Sequence, residues 1–331
     1  MIIFLKKYKS KIALMVFICV LVCTVSCLLD FKTLEKQKMP GLEKKSVFMA
    51  AENTVAKNTD KAVNEPRLHA VSAALYDVDD ETFIYGRNMR DSMANASTTK
   101  LLTCIVALEK SDINDTVTIS QNAASQPAVK LGLVAGNSYN MKDLLYGMML
   151  ESFNDCAYAI AEHVGGSTEG FAKLMNEKCK ELGLKYTHFT NPTGLYDEEQ
   201  YTTPSEMAMI MEYAMKDETR AKVLGTYQYK TKATEQHPEG IPLTSTMYSR
   251  IYGNEAPGVL VKGGKTGFTN EAGSCLVSYA VTNKGNAYVF CTGGATYRWA
   301  PVYDEIYVYK NIIPASAKDL ETETTKMSPN N

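Results

Sequence analysis

An α+β fold, with a single antiparallel sheet assembled from both ends of the folded region, is predicted by three features of the 331-residue sequence. Strand patterns cluster near its beginning and again near its end, and turn residues punctuate them. Between them, apolar residues recur at helical spacing. That order suits terminal segments that meet in one sheet and a helical subdomain inserted between them, with a cleft at the junction.

Taken in order, Val71–Tyr76 and Thr82–Tyr85 flank the acidic stretch Asp77-Val78-Asp79-Asp80-Glu81 and predict a β-hairpin. Helices follow at Leu101, Leu102, Ile105 and Leu108, then at Met141, Leu144, Leu145, Met148 and Met149, then at Phe171, Leu174, Met175 and Leu182, where Gly183 serves as C-cap. Thr203-Pro204-Ser205-Glu206 reads as a capping box with proline at the first helical position, opening a helix through Met207, Ile210, Met211 and Ala214. Ser274–Thr282 and Ala287–Cys291 flank Asn283-Lys284-Gly285-Asn286, a second hairpin signal, and Tyr303–Ile312 closes the unit as a helix.

Composition limits the function classes. With 45% hydrophobic residues, 22% charged residues and a formal net charge of −2, the chain is neither a disordered polymer nor a nucleic-acid binder driven by bulk positive charge. Lys6, Lys7, Lys9 and Lys11 precede an apolar run from Ile12 to Leu29 broken only by Thr24 and Ser26. Residues 1–29 therefore read as a membrane anchor or signal peptide, with the remainder exported to the outer face of the membrane or secreted. An uncleaved anchor is favoured over a processed signal peptide, and lipidation at Cys27 ranks last. Removing those four lysines leaves a formal charge of −6 on residues 30–331. Residues 30–67 read as a flexible tether, 68–314 as one folded unit and 315–331 as a polar tail. Cys104, Cys156, Cys179, Cys275 and Cys291 show no C-x-x-C metal spacing and read as small apolar packing residues.

Three short motifs carry the chemistry. Ser97-Thr98-Thr99-Lys100 stands directly before a helix, so Ser97 and Lys100 share a face and a neutral lysine there can deprotonate the hydroxyl. Alone the spacing is weak, since S-x-x-K is expected about once by chance in a chain this long. Lys265-Thr266-Gly267 precedes the late hairpin and is expected on a strand edge, where glycine admits a ligand backbone and Lys265 and Thr266 offer a charge and a hydroxyl to a carboxylate. Ser152-Phe153-Asn154 is preferred over three other S-x-N triplets because it falls in a break between two helical patterns, where a loop turns both polar side chains into a cleft.

In this order the motifs resemble S-x-x-K, S-D-N and K-T-G of penicillin-binding proteins and class A β-lactamases. From Leu68 to Ile313 the chain resembles the low-molecular-mass D-alanyl-D-alanine carboxypeptidases of the serine peptidase S11 group, a likeness to which Phe189-Thr190-Asn191-Pro192-Thr193-Gly194-Leu195 and Tyr201-Thr202-Thr203 add a fourth stretch. The resemblance implies a β-lactamase/transpeptidase-like fold and acyl transfer from a peptidoglycan stem pentapeptide. Ser97 is then the nucleophile, Lys100 its base and Ser152 a proton relay to the departing D-alanine. Asn154 orients the substrate amide, while Lys265, Thr266 and Thr269 hold the terminal carboxylate. The backbone N–H groups of Ser97 and Phe268, beside Gly267, form the oxyanion hole. β-Lactams are expected as covalent inhibitors, the membrane as a partner through the N-terminal segment, and no cofactor, metal or nucleic acid is implied. Phe153 stands where the family often carries glycine, so a bulky ring is expected near the cleft. The chain ends soon after the catalytic unit, which leaves anchoring to the N-terminal segment.

Other readings remain beside this one. A β-lactamase of the same fold needs a glutamate to activate water, and Asp197, Glu198 and Glu199 read instead as a solvated loop. A Ser-His-Asp hydrolase lacks a G-x-S-x-G, and His69, His163, His188 and His237 have no marked context. A non-catalytic sensor of peptidoglycan or β-lactam is disfavoured by the intact Ser97, Lys100 and Lys265.

Overall fold

A computed structural model describes residues 67–234 and 237–319. The expected anchor, nearly all of the tether and most of the tail lie outside the described residues.

The first hairpin forms from β1 (Ser72–Asp77) and β2 (Thr82–Arg87). Its turn is closed by the Asp77 carboxylate, which accepts from the Asp79 and Asp80 amides at 3.1 and 3.2 Å. A 3-10 turn at Ala96–Thr99 leads into α1 (Lys100–Lys110). The inserted helical part continues with β3 (Thr116–Thr118), α2 (Gln121–Ala124), β4 (Ser138–Asn140), α3 (Met141–Leu150), α4 (Asn154–Gly165) and α5 (Thr168–Glu181). Then come α6 (Pro204–Met215), α7 (Glu218–Gly225), β5 (Gln228–Lys230), β6 (Pro242–Thr244) and α8 (Tyr248–Ile251). The chain returns to the sheet through β7 (Val259–Thr269), β8 (Gly273–Thr282) and β9 (Ala287–Ala295) and closes with α9 (Ala300–Asn311).

The main sheet has the order β2-β1-β9-β8-β7 and is antiparallel throughout. Its central seam joins the two ends of the folded region, with Ala73 opposite Thr292 and Leu75 opposite Phe290. Every residue of β1 is buried, so both faces of the sheet are covered. On one face Ala73, Leu75, Leu276, Ala280, Tyr288 and Phe290 pack with Val302, Val308 and Tyr309 of α9 and with Tyr248 of α8. Helix α6 also packs across β1, β8 and β9. β7 is left as an edge strand whose neighbour is the 3-10 turn ahead of α1, and this adjacency brings the two lysine motifs together.

Several local expectations are refined. Thr203 does cap α6, accepting from the Glu206 amide at 3.1 Å, but Glu206 does not complete a capping box. Its carboxylate instead accepts from the Lys185 and Tyr186 amides and the Thr187 hydroxyl, pinning the segment ahead of the helix. The break between α3 and α4 is shorter than expected, because Asn154 is already the first residue of α4. At the C-terminal end, residues assigned to the tail dock on the fold: the Lys318 ammonium donates to the Tyr309 and Lys310 carbonyls at 3.0 and 2.8 Å. All five cysteines of the described region are buried and unpaired, and burial pushes the Cys104 thiol up to about 12 and that of Cys275 to about 11.

One acid is buried at odds with its surroundings. Glu305 on α9 has no exposed surface, and neither carboxyl oxygen has a hydrogen-bond partner. Burial pushes it up from 4.5 to about 8, and the Ser278 hydroxyl nearby, engaged with Tyr309 at 2.8 Å, opposes this only in part. The folded protein thus holds a proton that the unfolded chain releases above its ordinary value, so stability falls as pH rises between the two and levels off beyond the higher one. Urea unfolding of wild type and Glu305→Gln will show a gap that shifts in favour of the variant by several kcal/mol, in order of magnitude, from about pH 5 to about pH 8. A gap that does not change with pH would contradict this assignment.

Candidate active site

Ser97 is presented by a strained bend. Ala96 has φ +44°, in the left-handed region disfavoured for a residue with a Cβ, and the turn is tied by Thr98, whose amide donates to the Asn95 carbonyl at 3.2 Å. Two glycines make room for it. At Gly194, with φ +84°, a Cβ would stand 1.7 Å from the Ala96 carbonyl oxygen. At Gly267 on β7, a Cβ would stand 2.7 Å from the Ser97 backbone nitrogen. Those contacts explain why glycine occupies both positions and place the strand backbone beside the Ser97 amide.

One turn on, Lys100 is wholly buried, and its amine touches three oxygens at 2.9 Å: the Ser97 hydroxyl, the Asn154 side-chain carbonyl and the Thr193 backbone carbonyl. The Asn154 orientation is fixed from behind, since its amide nitrogen donates to the Pro127 and Ala128 carbonyls at 3.3 Å each. Burial pushes Lys100 well below its ordinary value, and the positive charge of Lys265 pushes it further. In the neutral form the amine has two N–H donors and one lone pair. The two carbonyls accept only, so they take the two N–H groups and leave the lone pair facing the Ser97 hydroxyl.

Thr193 is held for this purpose. The Asn191 side-chain oxygen accepts from the Thr193 and Gly194 amides at 3.1 and 2.9 Å, while Pro192 offers its carbonyl to Thr103 at 2.7 Å. The Asn-Pro-Thr-Gly stretch of the family likeness thus supplies a carbonyl acceptor to the base, a role that no side chain in it marks. Its turn composition is the available signal, because a backbone carbonyl has no residue-type signature.

The opposite wall comes from the loop after α3. Ser152 has φ +65°, and its buried hydroxyl has no hydrogen-bond partner, leaving a polar atom available to a ligand. Directly behind it the buried Asp155 carboxylate accepts from the Leu131, Gly132 and Leu133 amides at 2.8 to 3.0 Å and so fixes the neighbouring loop. The Phe153 ring does not narrow the cleft as expected. It packs on α3, where a Cβ at Gly147 would stand 3.2 Å from the ring, and it is absent from the cleft wall.

From β7, Lys265 is 1% exposed, and its ammonium donates to the Thr266 carbonyl at 2.8 Å. Burial pushes it down to about 7, and the charge of Glu151 opposes the shift. The Thr266 hydroxyl meets that of Thr246 at 3.0 Å. Thr269 does not join them: its hydroxyl accepts from the Ala272 amide at 3.0 Å and closes the turn into β8, outside the cleft wall.

The resulting cleft has a volume of about 600 Å³ and is lined by Ser97, Ser152, Thr266, Gly267 and the exposed Phe268, together with residues that sequence reasoning missed. Glu151, Thr246, Arg298 and Trp299 are among these. Glu151 also braces the loop, accepting from the Thr244 amide at 2.8 Å. Arg250 and Arg298 both lie over the Trp299 ring, at 4.1 and 4.8 Å from its centroid, which sets an exposed guanidinium on the rim of the cleft. Among the described residues no cluster of His, Cys, Asp and Glu has the arrangement of a metal site.

Residues 59–292 match the peptidase S11 family, described as D-alanyl-D-alanine carboxypeptidase. D-alanyl-D-alanine carboxypeptidase DacF of Bacillus subtilis (strain 168) is 34% identical over 251 residues, which cover 74% of this chain and 63% of that protein. The D-alanyl-D-alanine carboxypeptidase of Streptomyces sp. (strain K15) is 30% identical over 253 residues, covering 73% of this chain and 86% of that one. The crystal structure of the Streptomyces K15 DD-transpeptidase superposes with a TM-score of 0.68 at 28% identity, over 75% of this chain and 99% of that chain. The chain thus spans less than two thirds of the length of DacF and most of the length of the Streptomyces protein. Sheet order, inserted helices and cleft follow the β-lactamase/transpeptidase-like fold of these DD-peptidases, and the chain belongs to the peptidase S11 family of D-alanyl-D-alanine carboxypeptidases.

Proposed function

We propose that the protein is a serine D-alanyl-D-alanine carboxypeptidase that removes the terminal D-alanine from peptidoglycan stem peptides through an acyl-enzyme on Ser97. The observation that carries this reading is the buried Lys100 amine, whose lone pair is directed at the Ser97 hydroxyl by two carbonyl acceptors at 2.9 Å. As Ser97 Oγ bonds to the carbonyl carbon of the penultimate residue, its proton passes to Lys100 Nζ. The oxyanion faces the backbone N–H groups of Ser97 and Phe268. The Lys100 ammonium then returns that proton through the unpartnered Ser152 hydroxyl, which protonates the amine of the departing D-alanine as it takes the proton from Lys100. Water next attacks the ester carbonyl and gives a proton to the neutral Lys100, and Lys100 passes it to Ser97 Oγ as the shortened peptide leaves. Asn154 acts first on Lys100, since its oxygen is held by the amine. Thr266 and Arg298, both in the cleft wall, form the anchor for the substrate carboxylate, with the buried Lys265 cation behind Thr266. Penicillin, which carries a carboxylate beside a reactive amide, acylates the same serine.

Support for the β-lactamase alternative is lacking at Asp197, Glu198 and Glu199: the Asp197 carboxylate accepts from the Glu199 amide at 2.9 Å, and none of the three lines the cleft. For location, we propose export with the apolar segment of residues 1–29 as membrane anchor or signal peptide, on the strength of its basic flank and 18-residue apolar run. Among the described residues no helix is long and apolar enough to cross a membrane.

Incubation with a fluorescent penicillin will label wild type and leave Ser97→Ala unlabelled, and D-alanine release from a stem pentapeptide will vanish in that variant. Labelling that survives in Ser97→Ala would end the acyl-enzyme proposal. Because a Cβ at Gly267 presses on the Ser97 amide, Gly267→Ala will slow acylation by about 10²-fold in stopped-flow measurements, the scale of a misplacement near 1 Å.

The pH profile tests the role of the second lysine. Lys265 is cationic below its value of about 7 and neutral above it, so kcat/KM falls as pH rises through that value. Glu151 opposes the downward shift, and Glu151→Gln keeps an oxygen for the Thr244 amide while removing the charge. The variant will move this limb to lower pH with no loss of thermal stability. An unmoved limb would show that Glu151 acts on the brace alone.

A further inference from the structure

A second groove, about 560 Å³ and close in size to the catalytic cleft, lies between α3, α7 and the β5–β6 ribbon. Lys142 of α3, Lys222 of α7 and Lys230 of β5 converge on it, together with Tyr146, Thr226 and Tyr229. Among the described residues no acid lines it. The acids carried by α3 and α7 themselves are committed or set apart. Asp143 accepts from the Tyr229 hydroxyl at 2.6 Å and from the Lys232 amide at 3.2 Å. Glu218 borders an adjoining cavity of about 290 Å³, and among the described residues no ion pair joins it to Lys142 or Lys222. Three ammonium groups that pair with no carboxylate among the described residues, on a chain whose residues 30–331 carry a formal −6, form a local site for anions rather than a product of bulk charge. The floor is rigid: the Tyr146 and Tyr229 rings stack at 3.9 Å with 11° between their planes.

The groove and the cleft are neighbours across β6 and share no lining residue. Pro242, Leu243 and Thr244 of β6 form one wall of the groove, the Thr244 amide is bonded to Glu151, which lines the cleft, and Thr246 two residues on lines the cleft as well. Along α3, Lys142 and Glu151 are separated by nine residues, or about 14 Å of helix, a span that about four residues of extended peptide cover. We infer that this groove is a second substrate subsite, which binds the carboxylate-bearing glycopeptide chain that continues away from the stem peptide held in the cleft. The inference rests on the carboxypeptidase reading and narrows it: the preferred substrate is polymeric, uncross-linked peptidoglycan rather than a free pentapeptide. Lysines suit this role, since each offers a point charge to a single oxygen along a repeating chain and demands no fixed bidentate geometry.

The test compares the full chain with its Lys142→Ala/Lys222→Ala/Lys230→Ala variant, all three changes being remote from Ser97. Penicillin acylation at the wild-type rate verifies that the variant is folded. On soluble uncross-linked peptidoglycan strands the variant will show a KM raised by roughly tenfold, and added salt will erase the wild-type advantage. On a free stem pentapeptide, kcat/KM will stay within about twofold, because the cleft itself is unchanged. Equal effects on both substrates, or on neither, would overturn the subsite. So would loss, in the variant, of binding to a poly(glycerol phosphate) probe with KM on the strands unaltered, which would assign the groove to a phosphate polymer. Sedimentation with insoluble peptidoglycan separates this inference from the reading beneath it. Binding lost in the variant upholds the groove even where wild type releases no D-alanine, and that second result would refute the carboxypeptidase alone.

Discussion

Two lysine amines are buried in one site, and most of the surrounding architecture answers to that constraint. Lys100 has no exposed surface and Lys265 is 1% exposed. An ammonium group taken out of water is strongly destabilised unless paired, and among the described residues no carboxylate forms an ion pair with either one. Lys100 therefore favours its neutral form, and the second cation reinforces the shift. At Lys265 the charge of Glu151 works the other way and favours the cation. The asymmetry between two chemically identical side chains divides them into a base and an anion anchor.

The fold holds this pair with parts distant in sequence. The first lysine enters on the helix that follows the opening hairpin, and the second on the edge strand of a sheet whose centre joins β1 to β9. Contact between them depends on close backbone approach, which is why glycine stands at positions 194 and 267 and why Ala96 and Ser152 adopt positive φ values. The positive φ at Ala96, next to Ser97, and at Ser152 itself aims a nucleophile and an unpartnered hydroxyl at the same cleft. Carbonyl groups from Thr193 and Asn154 complete the arrangement by accepting hydrogen bonds without bringing charge.

Much of this was legible in the sequence. Both hairpins, the main helices and the residues of the three motifs follow from periodicity, turn chemistry and spacing, because those signals are local. What was not legible depends on contact. Thr193 acts through a backbone carbonyl, for which no residue type is diagnostic. Glu151 precedes the S-x-N motif with no spacing rule to mark it, and Arg298 reaches the cleft only because β9 ends beside it. The short ribbon β5–β6 lacks enough length to display alternation, yet it separates the cleft from the basic groove. Residue type misled in three places: Phe153 turns onto Gly147 of α3, Thr269 closes a turn, and Glu206 ties down residues 185–187 instead of its own helix cap.

The division of labour between the two amines is open to direct observation. Selective 15N labelling of lysine side chains, with Lys100→Arg and Lys265→Arg variants to assign the resonances, gives the protonation state of each amine as a function of pH. Lys100 will be a neutral amine at neutral pH, and Lys265 will titrate at about 7. A Lys100 resonance that stays that of an ammonium ion up to about pH 9, close to the ordinary lysine range, would contradict this division of labour.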